Sequence, residues 1–70
     1  MDSVFARLSS EYELMSLQAV LARQEFLLVT LAQGADHKSV TEARDRWHEL
    51  QDRCAAILGR IKELTQATAA

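Results

Sequence analysis

The 70-residue chain has no proline, two glycines and one cysteine. Gly34 and Gly59 are the only residues of the strong turn-forming pair, so a loop-rich or many-stranded architecture is excluded. One cysteine, Cys54, cannot form an internal disulfide, which removes the covalent staple that small secreted domains rely on. Uninterrupted apolar sequence is also scarce. The richest stretch, LMSLQAVLARQEFLLVTL from Leu14 to Leu31, is broken by Arg23 and Glu25. A spanning helix needs about 20 mostly apolar residues, and each charge near the bilayer centre costs about 2.5–3.5 kcal/mol on insertion scales. No stable membrane insertion is therefore expected. The start, MDSVFARLSS, has neither the basic flank nor the unbroken apolar core of a secretory signal, and points to a cytoplasmic protein. Positive charge is not in excess either: eight basic against ten acidic residues leave a net −2, the wrong sign for displacing counterions from nucleic acid.

What remains is rich in Ala, Leu, Glu, Gln and Arg, all good helix formers. The sequence predicts an all-α chain: one domain, an antiparallel, coiled-coil-like two-helix hairpin. Helix 1 is expected over about 2–33, a turn over 34–38 and helix 2 from 36 or 39 to about 66. Gly34 suits the left-handed residue that ends a helix, and Asp36 or Ser39 suits the next N-cap, Ser39 forming a capping box with Glu42. Ser10 with Glu13 is a weaker start signal that would separate a short leading turn, and the tail TQATAA is expected to fray.

Two seams follow a 3-4 spacing. Phe5, Leu8, Tyr12, Met15, Ala19, Ala22, Phe26 and Val29 form one. Val40, Ala43, Trp47, Leu50, Cys54, Ile57, Ile61 and Leu64 form the other. Folded about Gly34, they pair positions whose numbers sum to 69, so that Phe26 meets Ala43 and Ala22 meets Trp47, large against small as close packing requires. Pairs such as Glu42 with Arg46 and Glu49 with Arg53 are spaced to flank helix 2.

A second row on helix 1 is left over: Leu14, Leu17, Leu21, Leu28 and Leu31, with Gln24 at the missing step. At 100° per residue it lies roughly 150° from the seam, so one partner helix cannot cover both. Five leucines at about 1.5–3 kcal/mol each for full burial represent on the order of 10 kcal/mol before association costs. This row is the expected partner-binding surface. Helix 2 adds Ala55, Leu58 and Gly59 on its outer side, where a glycine inside a helix costs roughly 1 kcal/mol relative to alanine and invites close approach of another helix.

Catalytic and metal-binding patterns are missing. His48 with Asp45 and Asp52 falls short of the ligand set a zinc or iron site needs, so no metal and no cofactor are expected. Cys54, Trp47 and Tyr12 lie on the seams and read as core. No phosphate loop, nucleophile elbow or paired buried carboxylates occur, and a two-helix hairpin has little concavity in which to exclude water, so no enzyme is expected.

The turn GADHKS and the segment WHELQDRCAAILGRIKEL resemble the small co-chaperones of type III secretion needle subunits, the YscE/PscE/EscE type. The resemblance spans about residues 20 to 64 and rests on Gly34, Asp36, Lys38, Leu50, Ala55 and Ile57. It implies a cytosolic hairpin that binds a larger tetratricopeptide-like, helical-repeat chaperone, the pair keeping the needle subunit unpolymerised before export. The alternative is a self-associating hairpin forming a homodimeric four-helix bundle with a structural or adaptor role.

Overall fold

The computed structural model describes the backbone of residues 3–69 and the side chains of residues 3–67. Two helices, α1 (Ser3–Gln33) and α2 (Lys38–Ala69), pack against each other as an all-α hairpin. The expected helix 1 start at Asp2 lies outside the described residues.

The turn forms for local reasons. Gly34 takes φ +89°, the left-handed region, while its N–H donates to the Thr30 carbonyl at 2.9 Å and its carbonyl accepts from His37 N–H at 3.2 Å. The first hydrogen bonds of α2 are accepted by the His37 carbonyl, from Val40 N–H at 3.0 Å and Thr41 N–H at 3.4 Å. His37 is therefore the N-cap, and its Nδ1 accepts from Ser39 N–H at 3.1 Å. Neither Asp36 nor Ser39 fills the role expected of it: Asp36 lies outside the helix and Ser39 within its first turn. Helix α1 runs unbroken through Ser10, because nothing there forces the backbone to leave the helix and the residues before it already satisfy its N–H groups. Helix α2 continues past Gln66 to Ala69, where the tail offers no glycine or proline and alanine propagates the helix.

Both seams face inward. Leu8, Ala22, Val40 and Ala43 are buried. Tyr12, Met15, Ala19, Phe26 and Val29 on α1 and Trp47, Leu50, Cys54, Ile57 and Ile61 on α2 are half-buried. The seam thins at the open end, where Phe5 and Leu64 remain 40% and 38% exposed. Cross-helix neighbours fall close to the expected register: Ser16 Oγ lies 4.0 Å from Cys54 Sγ, and Arg46 Nη1 donates to both carboxylate oxygens of Glu25 at 3.1 Å. The Phe26 ring, expected opposite Ala43, instead stacks on Trp47 with centroids 5.6 Å apart and planes inclined by 25°. Two large side chains thus meet where large against small was expected, a contact worth about 0.5–1.5 kcal/mol beyond its buried area. Arg46 thus pairs across the hairpin, leaving Glu42 to Lys38 at 3.9 Å, while Glu49 and Arg53 pair at 2.9 Å as their spacing implies.

Candidate protein-docking face

On the side of α1 away from α2, Leu14, Leu17 and Leu21 are each 56% exposed, Leu28 66% and Leu31 84%. Val20 and Leu27, at 53% and 44%, widen this row into a band. At 100° per residue the band is centred roughly 180° from the seam, directly behind it. Sequence reasoning missed these two because it traced a single row of leucines. The signal was present in their spacing: Val20 is three residues after Leu17 and Leu27 three after Gln24.

The band is apolar across its width apart from Gln24, which is exposed. Its nearest charges are at the borders. Glu25 is held off the band by the two-oxygen contact with Arg46, and Arg23 lies on the opposite border. Along its length the band begins beside Glu13 and ends where Gly34 terminates the helix. Contiguous apolar surface of this kind is uncommon on a small monomeric protein.

The second surface behaves differently. Ala55 is exposed, whereas Leu58 and Gly59 are half-buried, Leu58 sitting at the edge of the α2 seam. A Cβ built at Gly59 would meet no atom within 4 Å, so no close approach of α1 requires a glycine there. These residues do not join the leucine band, which lies on the far side of α1.

Helix α1 is long and apolar enough to cross a membrane by length and composition, with mean hydropathy 1.3 over its most apolar 18-residue window. That hydropathy comes from two opposed faces, one packed on α2 and one open. At the open end of the hairpin a shallow recess of about 320 Å³ is lined by Val4, Leu8, Arg60, Glu63, Leu64 and Ala67. Among the described residues, no three His, Cys, Asp or Glu side chains gather to hold a metal ion. His48 instead sets its ring 5.1 Å from that of Trp47, and the half-buried Cys54 thiol faces the Ser16 hydroxyl. Comparison with known protein families, with curated proteins and with solved structures finds no match.

Proposed function

We propose that the hairpin is a non-enzymatic docking module that lays the exposed face of α1, centred on Leu17, Leu21, Leu28 and Leu31, on an apolar surface of a larger helical protein. The observation that carries the reading is the band itself: seven large apolar side chains, each 44–84% exposed, on one side of a helix whose other side is already packed. Covering them would contribute on the order of 10 kcal/mol, a driving force of the same size as the cost of association that it has to offset. The turn and second-helix residues that resemble the type III needle co-chaperones supply the candidate partner: a tetratricopeptide-like chaperone that, with this hairpin, keeps a needle subunit unpolymerised in the cytoplasm.

The test separates binding from folding. Leu21→Asp and Leu28→Asp should retain the helical circular dichroism of the parent, because both side chains already face solvent, yet should weaken the complex with the chaperone at least a hundredfold by placing a charge in an apolar contact. Normal binding by both folded variants would remove the leucine face as the docking surface.

A further inference from the structure

We propose that, when no other partner is bound, a second copy of the same chain closes the leucine face, the two α1 helices running antiparallel about a two-fold axis at Gln24. The proposal rests on the same face as the docking reading but commits it to a different occupant.

A two-fold interface must be self-complementary, each residue meeting the counterpart related by the axis. The exposed band satisfies that requirement about one residue. Counting from Gln24, apolar side chains stand at three residues (Leu21 and Leu27), four (Val20 and Leu28) and seven (Leu17 and Leu31) on both sides. An antiparallel pair with its axis at Gln24 therefore sets Leu21 against Leu27, Val20 against Leu28 and Leu17 against Leu31. The single polar side chain in the band falls on the axis, where it faces its own copy. A carboxamide carries both donor and acceptor, so two glutamines there satisfy each other when water is excluded. A lone polar residue in an apolar helical seam is a known means of specifying register and partner number. No charged residue stands within the paired set, so the two copies juxtapose no like charges.

The area agrees. The chain exposes 5380 Å², whereas a compact monomer of its mass would expose about 4400 Å². That excess, roughly 1000 Å², is comparable to the 800 Å² or so that each partner contributes to a stable interface. Because the band lies behind the seam, the four helices would form a row, α2–α1–α1–α2, and not a square bundle.

The 70-residue chain at tens of micromolar should sediment at equilibrium with twice its 7.9 kDa mass. Gln24→Glu puts two carboxylates on the axis. Its dimer should weaken at least tenfold relative to the parent at neutral pH, and the gap should close as the pH falls below about 4, the ordinary carboxylate range. In a Cys54→Ala background with helicity verified, Gln24→Cys should cross-link between copies on oxidation. Leu14→Cys should not, because its two copies would be about 30 Å apart in this register. A monomer at these concentrations overturns the proposal and leaves the docking reading to its own binding test. Cross-linking at both positions would mean a parallel pair, and an unchanged Gln24→Glu dimer would move the axis elsewhere; either result also overturns it.

Discussion

Gly34 and Gly59 show how differently one residue type acts in one chain. At φ +89° Gly34 occupies a backbone region that costs an L-residue roughly 1–2 kcal/mol, and it is the hinge on which the helices reverse. Gly34→Ala should lower unfolding stability by about that amount, read as a drop in the urea midpoint with unchanged slope. Gly59 is inside α2, in ordinary helical conformation, with open space where a Cβ would be. Gly59→Ala should therefore raise stability by about 0.5–1 kcal/mol on the same measurement. If Gly59→Ala instead weakens a complex while stabilising the free chain, the partner approaches closely at that point. Gly34 was legible as a helix terminator from its place between two periodic segments. The cap beside it was not: Asp36 and Ser39 are the better cap residues by type, but the path out of the Gly34 turn brings the chain into the helix at Lys38, two residues past Asp36, so His37 takes the cap position and receives the bond.

At the scale of the element, α1 and α2 differ in what their periodicity discloses. Helix α2 has one apolar stripe, so its 3-4 spacing identified the packed side directly: Val40 and Ala43 are buried, and Trp47, Leu50 and Cys54 half-buried. Helix α1 has two stripes of similar strength, and its own pattern does not say which one α2 takes. Matching sizes across the hairpin selected the stripe that is packed, but not its pairings, since Phe26 meets Trp47 and not the small Ala43. The stack of Phe26 on Trp47 joins the stripe that carries the small residues Ala19 and Ala22. Phe26→Asp and Trp47→Asp should each unfold the isolated hairpin, with loss of most of its helical circular dichroism, since both rings lie in the one apolar layer between the helices. The cross-helix pair Arg46–Glu25 is exposed and worth at most about 1 kcal/mol, so Arg46→Ala should shift stability only slightly.

The whole molecule measures 51 × 16 × 12 Å with a radius of gyration of 15.9 Å, where a compact 70-residue domain would have about 11 Å. Two helices side by side have one interface, so among the described residues the apolar band on the far side of α1 stays uncovered. A core this thin is marginal, and binding to the open face adds to its stability by mass action. The thermal midpoint of the parent should rise with its own concentration if copies pair, or with added chaperone if that partner binds, whereas Leu28→Asp should show neither dependence in differential scanning calorimetry.

Helix formation and the single reversal were determined by the sequence alone, because helix propensity, the shortage of turn residues and the position of Gly34 act within a few residues of chain. The list of residues on each stripe was likewise local, set by 3.6 residues per turn. Only the tertiary structure decided that Phe26 stacks on Trp47, that Val20 and Leu27 join the exposed band, and that Arg46 reaches Glu25 instead of Glu42. Those outcomes depend on where the second helix lies, and two stripes on opposite sides of one helix compete for it on nearly equal terms until the partner's side chains are brought against them.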